Sequence, residues 1–253
     1  MASYTIGLDY GTNSVRAVVV DTTDGTICGS QVYAYSHGDM GVIGDVKDPN
    51  VARQHPADYL EGLELTVRGA LSEAGVAPAK VVGIGVDATA STPLPVDAQG
   101  QALALTDAFK EDPDAMAWLW KDHSSLAEAN EITAKAAALR PEYLAKCGGA
   151  YSSEWYWSKI LHCARVAPKV FAGAHDWIEL PDWIPFVLTG QLKRCLCAAG
   201  HKGLYCPDWG GYADADFLAA VDPCLVRIRE GLPDQAYHIG HAAGGLNIEW
   251  ADK

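Results

Sequence analysis

Asp9-Tyr10-Gly11-Thr12-Asn13-Ser14 sets a carboxylate at the end of an apolar run and follows it with a glycine and three hydrogen-bonding residues. A metal-holding acid, backbone N–H donors and freedom from bulky side chains are the parts that phosphoryl transfer needs. The same pattern suits a tight hairpin whose Asp and Ser face solvent, and the local residues alone do not separate the two. A second apolar run leaves through the small, polar stretch Asp87-Ala88-Thr89-Ala90-Ser91-Thr92. Neither G-x-x-x-x-G-K-[ST] nor G-x-G-x-x-G occurs, so any nucleotide phosphate is held in another way. Trp120-Lys121-Asp122-His123 puts an acid two residues after an aromatic; read by itself, Trp120 is core and Asp122 a solvated charge. Lys202 by itself is a solvated lysine. Cys195, Cys197, His201 and Cys206 crowd together, but a single C-x-C without a second spaced pair is a weak zinc signal, and the thiols read as packed and inert.

The composition narrows the partners. The chain has 253 residues, 49% hydrophobic and 20% charged, with no low-complexity tract. That is an ordinary globular composition, which disfavours disorder, collagen and coiled coil. A net charge of −13, from 19 Lys+Arg against 32 Asp+Glu, repels nucleic-acid backbones and anionic membranes. No apolar run approaches the ~20 residues of a membrane helix. Met1-Ala2-Ser3-Tyr4 enters a strand-like segment without an export signal, and the seven cysteines are an odd number. A cytoplasmic protein with reduced thiols is expected. Assembly into a homo-oligomer stays open.

The elements that position these residues follow from pattern. Tyr4–Asp9, Val15–Asp21 and Thr26–Tyr35 are β-rich runs separated by Gly11–Ser14 and Asp24-Gly25, which predicts a three-stranded meander. Residues 36–55 read as an irregular excursion. A helix runs from Pro56 to Gly75 with Leu60, Leu63, Val67, Leu71 and Ala74 on one face. Val81–Asp87 is nearly all apolar and reads as a central strand covered on both sides. Pro93–Val96 and an Asp97–Gly100 turn follow. Asp112-Pro113 is expected to open a long helix carrying Met116, Leu119, Trp120 and Leu126. Further helices are expected at Ser153–Val166, capped by Ser152 or Ser153, and at Asp182–Thr189, ended by Gly190. The sum is an α/β domain with a mixed sheet and its ligand edge at strand ends.

Ile6–Asp21, "IGLDYGTNSVRAVVVD", resembles the first phosphate-binding hairpin of the FGGY family of sugar kinases. Val81–Asp97, Ala115–His123, Gly148–His162, Trp177–Gly190 and Cys197–Tyr205 are similar to co-linear blocks of its L-ribulose-phosphorylating branch. The resemblance runs from about residue 4 to about residue 220. It implies an actin-like, ribonuclease-H-like fold with helical insertions at about 106–200. It also implies transfer of the ATP γ-phosphoryl group to the 5-hydroxyl of L-ribulose, with Mg²⁺.

By that resemblance Asp9 helps hold Mg²⁺, and Gly11, Thr12, Asn13 and Ser14 present donors to the ATP phosphates. Ala90 lies where the backbone contacts the ketose, Lys202 matches a substrate-contacting lysine, and Asp122 falls in the W-x-D element near the sugar. Arg16 is left as structural, as are His37, His162 and His175; Glu154, Trp155 and Trp157 are read as packing. The family's G-x-x-D element, which carries the general base, and its adenosine pocket belong to a second lobe, and nothing after Lys202 fits them. The stretch from Gly210 holds Pro223, Pro233 and Gly-rich turns. Residues 1–253 are therefore expected to be an amino-terminal lobe, inactive alone. A kinase-derived sugar-binding or assembly module, a kinase of a related pentulose and an actin-like ATPase are the alternatives.

Overall fold

The computed structural model describes residues 2–253. The chain opens with β1 (Tyr4–Tyr10), β2 (Ser14–Asp21) and β3 (Ile27–Ala34), the expected meander. The excursion that follows holds only the short β4 (Arg53–Gln54), and α1 (Pro56–Ala74) comes next. His55 caps α1 by accepting from the Ala57 N–H, Pro56 occupies its first turn, and Gly75 closes it in the left-handed region at φ 63°. β5 (Val81–Ala88) then joins the sheet beside β1, giving the order β3-β2-β1-β5. β1 pairs antiparallel with β2 and parallel with β5, so the sheet is mixed.

One face of this sheet is packed. Ile6, Leu8, Tyr10, Val15, Ala17 and Val19 are buried there with Tyr59 and Leu63 of α1. The helix lies so close that a Cβ at Gly62 would stand 2.4 Å from Val15, and one at Gly29 would stand 2.4 Å from the Ala70 carbonyl. Both glycines are there because nothing larger fits. The other face is open. β5 is an edge strand, not the doubly covered central strand read from its composition, and Val82 is 68% exposed. The apolar run hid an alternation: Ile84 and Val86 are partly buried, whereas Gly83, Gly85 and Asp87 are exposed. Counting glycine as apolar disguised a strand with only one packed face.

Beyond β5 come β6 (Pro93–Val96), β7 (Ala117–Trp118), α2 (Leu126–Leu139), α3 (Pro141–Ala145), α4 (Tyr156–Val166), α5 (Pro168–Gly173), β8 (Asp176–Glu179), α6 (Leu180–Thr189) and α7 (Leu196–Lys202). β9 (Tyr205–Cys206) and β10 (Gly211–Tyr212) form a small ribbon, followed by α8 (Ala215–Val221), α9 (Cys224–Gly231) and α10 (Ile248–Asp252). These helices build a second core around Trp118, Trp157, Trp177 and Phe217. β6 and β8 pair antiparallel, Pro93 opposite Glu179, and tie the strand exit of β5 to this second core.

The long helix expected from Asp112 does not form. Asp112 caps only a single turn at Pro113–Ala115, and β7 then pairs with β4. Five consecutive residues, Ala115 to Leu119, are buried, a pattern that no one-sided helix gives. Trp118 instead packs beneath the Arg53 guanidinium, 3.4 Å from its ring centre. α4 begins at Tyr156, three residues later than expected, because Ser152 accepts from the Glu154 N–H in a turn instead of capping the helix. α6 begins two residues early and ends, as expected, at a left-handed Gly190.

Candidate active site

The hairpin tip between β1 and β2 is a small platform of backbone donors. The Gly11 N–H closes the turn on the Ser14 carbonyl at 2.9 Å, so it points inward. The Thr12 and Asn13 N–H groups find no protein acceptor among the described residues. The Thr12 carbonyl accepts from Gln54 at 2.7 Å, and the Asn13 side chain donates to the Met40 carbonyl at 2.6 Å. These bonds anchor the tip while its Thr12 and Asn13 amides stay unbonded to the described residues. Asp9 is exposed and its carboxylate accepts no hydrogen bond from the described residues. In the register of the sheet it lies opposite Arg16 on β2 and Asp87 on β5. Asp87 is exposed as well, so two carboxylates share one face at the carboxyl ends of adjacent parallel strands. In open α/β sheets, strand ends of this kind are where ligands sit.

The loop that leaves β5 begins beside that tip, since the Thr89 N–H donates to the Tyr10 carbonyl at 3.0 Å. Ala90 is partly buried within it, and Ser91 adopts φ 65°, the left-handed region that a serine rarely takes. Two buried ionic groups hold this loop. Glu179 accepts from the Thr92 N–H at 2.8 Å through one oxygen, while its other oxygen is buried without a partner among the described residues. Burial pushes the Glu179 carboxyl up, against the pull of the Lys159 and Lys202 charges. Lys159, from α4, is 0% exposed and donates to the Ser91 carbonyl at 2.6 Å. Burial draws its ammonium down to about 7, against the pull of the Asp122 and Glu179 charges.

Lys202 ends α7, its Nζ lying 5.8 Å above the Trp155 ring. Its backbone is fixed by Tyr151, which donates to the Lys202 carbonyl at 2.6 Å, and Trp157 donates to the next carbonyl, Gly203, at 2.7 Å. A cavity of about 10 Å³ between Glu179, Asp182 and Arg194 holds one water at most. That volume does not admit a pentose.

The W-x-D segment is not helical, and both of its plain readings are overturned. Trp120 is 39% exposed, and its indole N–H donates to the Thr12 hydroxyl at 3.0 Å. Asp122 is 0% exposed and pairs with Arg53, while also accepting from the Ala52 N–H at 2.7 Å and the Ser124 hydroxyl at 2.6 Å. Its carboxylate is occupied by protein donors.

Hydrogen bonds thus link the hairpin tip, the W-x-D segment and the 89–92 loop, through Trp120 to Thr12 and through Lys159 to Ser91 and Leu119. Three contributors were passed over in the sequence. Asp87 carried a signal, an acid ending an apolar strand just as Asp9 does. Lys159 and Glu179 carried none, because their partners are 68 and 87 residues away.

Comparison with known proteins accords with this geometry. Residues 4–205 match the FGGY family of carbohydrate kinases, N-terminal domain. The chain is 39% identical to a ribulokinase of Vibrio parahaemolyticus over 257 residues, covering 99% of this chain and 45% of that protein. It is 40% identical to a ribulokinase of Geobacillus thermodenitrificans, covering 98% and 44%. It therefore spans less than half the length of these relatives. A crystal structure of xylulose kinase from Rhodospirillum rubrum superposes with a TM-score of 0.71 at 19% identity, over 98% of this chain and 46% of that one. That likeness shows the fold, the actin-like, ribonuclease-H-like arrangement of the FGGY sugar kinases. By its match over residues 4–205, the chain belongs to the FGGY family of carbohydrate kinases.

Proposed function

We propose that this chain provides the sugar and phosphate half of a kinase that transfers the ATP γ-phosphoryl group to the 5-hydroxyl of L-ribulose. The observation that carries the reading is the placement of two unpaired amides, Thr12 and Asn13, beside two exposed carboxylates, Asp9 and Asp87, at the mouth of the loop that holds Ala90. Anionic phosphate oxygens suit the amides. The two ribulokinases, each about 40% identical, supply the choice of ketopentose.

The residues fit a divalent cation. Asp9 has an unengaged carboxylate, and hard oxygen donors suit Mg²⁺, which is commonly bound by one or two carboxylates together with phosphate and water. No cluster of three or more His, Cys, Asp or Glu side chains stands ready for a metal among the described residues, so a cation here relies on the nucleotide to complete its shell. Mg²⁺ bound by Asp9, with Asp87 beside it, would neutralise phosphate charge. The chain's own residues do the rest. Thr12 and Asn13 orient the phosphates, the Ala90 backbone and the Lys202 ammonium fix the sugar hydroxyls, and Ser14 adds a hydroxyl donor.

Asp122 joins the sugar site through its fixed position behind Trp120, since its oxygens are already bonded. We place the general base and the adenosine pocket in the share of the relatives' length that this chain does not span, so the 253 residues alone bind without turnover. Calorimetry with L-ribulose and with MgATP, alongside a coupled ADP-release assay, tests this. Binding of both ligands, at millimolar strength, with no ADP release is expected. Binding of neither contradicts the kinase reading, and robust turnover contradicts the placement of the base.

A further inference from the structure

We infer that Lys159 is a positioning residue: its buried ammonium clamps the sugar loop to the W-x-D segment and so sets the spacing of Ala90 from Trp120. The inference rests on the sugar-site reading above.

Lys159 spends all three N–H donors on backbone carbonyls: Ser91 at 2.6 Å, Leu119 at 2.7 Å and Trp118 at 3.2 Å. The carbonyls come from two segments well apart in the chain, and each reaches the site one residue away from its bond. Ser91 follows Ala90. Leu119 precedes Trp120, whose indole holds the Thr12 hydroxyl of the phosphate tip.

Two features argue against a mere core filler. An ammonium buried in full is expensive, and a methionine would fill the same volume without that cost. Nor is Lys159 half of an ion pair. Asp122 is bonded to Arg53, Ala52 and Ser124, Glu179 is bonded to Thr92, and neither forms a salt bridge with Lys159. Ser91 supplies the second feature. It sits at φ 65°, a conformation unfavourable for a residue with a Cβ, and its hydroxyl is buried with no partner among the described residues. The side chain of Ser91 contributes nothing to holding that turn; its carbonyl bond to Lys159 does.

The test compares the wild-type protein with Lys159→Met, Ser91→Gly and the double variant. In Lys159→Met, hydrogen exchange should rise about tenfold or more for residues 89–92 and 118–121 while β1–β3 stay protected, and L-ribulose affinity should fall about tenfold with MgATP affinity moving less. Adding Ser91→Gly should recover part of the lost ketose affinity, because glycine takes φ 65° without strain. A filler would lower thermal stability and leave both the selectivity and the recovery absent. If Lys159→Met does not fold, the unmodified protein decides: Lys159 Nζ–H protons should be protected from exchange, and a freely exchanging ammonium overturns the clamp. A wild-type protein that binds no ketopentose defeats the sugar-site reading, and the exchange of residues 89–92 and 118–121 still decides whether Lys159 is a clamp.

Discussion

At the Gly11–Ser14 tip the chain turns within four residues, held by backbone bonds (Gly11 to Ser14, Tyr35 to Asn13 and the β1–β2 ladder) and by two neutral side chains, Gln54 and Trp120, that donate to Thr12. At the Ala90–Thr92 loop the supports come from α4 and β8, and they are buried ionic side chains, Lys159 and Glu179. Both regions draw on segments distant in the chain, but the first is held by neutral groups and the second by ionic groups that are costly to bury. A buried polar network rigidifies when every member is satisfied and fails when one is removed. The phosphate end should therefore tolerate substitution in its scaffold, while the sugar end should respond to single changes far from the ligand.

The sharpest break in that contrast is Asp122→Ala. It strips a buried partner from Arg53, which is left with Asp114 alone, and should lower unfolding free energy by about 3–5 kcal/mol in a urea titration. A loss under about 1 kcal/mol would place Asp122 outside the supporting network. Asp9→Asn is the counterpart at the phosphate end. Asp9 is exposed and accepts no bond, so stability should move by less than about 0.5 kcal/mol. MgATP binding should nevertheless weaken by about 10- to 150-fold, the worth of one charge-assisted contact. Unchanged MgATP affinity would remove Asp9 from the cation site.

Lys202→Ala refines the comparison from the sugar side. Ketose affinity should drop by about tenfold, with MgATP affinity within about threefold of wild type, as calorimetry can resolve. Equal losses for the two ligands would make Lys202 structural. A pH titration probes the buried ionic groups behind the loop. Burial pushes the Asp182 carboxyl up to about 7, with Arg194 pulling it back. The folded chain keeps a proton there that the unfolded chain releases near pH 4. Its contribution therefore favours the folded state at low pH and is lost as pH rises from about 4 to about 7. The stability difference between wild type and Asp182→Asn should fall across that window, and a flat difference would remove burial as the cause.

The division between the two regions also governs what could be read in advance. The meander, the hairpin tip and α1 follow from alternation, turn residues, Pro56 and Gly75, all local signals. Family resemblance then pointed to Ala90 and Lys202. The segment at 112–126 departs from its sequence pattern because helix-opening residues at Asp112-Pro113 precede five buried positions, which pack against β4 and Arg53 some 60 residues earlier. The bond of Asp122 to Arg53 spans 69 positions, so nothing near the W-x-D element announced it. Val81–Asp87 was misplaced for a simpler reason: Gly83 and Gly85 look apolar in a sequence and leave an open face in a sheet.

The central proposal is that the hairpin tip takes phosphate while the 89–92 loop and Lys202 take a ketopentose. Backbone amide NMR of the labelled chain, titrated with L-ribulose and then with MgATP, tests it without requiring turnover. L-ribulose should shift the amides of residues 89–92 and 200–203, and MgATP those of residues 9–14 and 87–89, with weak, fast-exchange behaviour for both. Shifts confined to other surfaces, or no shifts at millimolar ligand, would contradict the account.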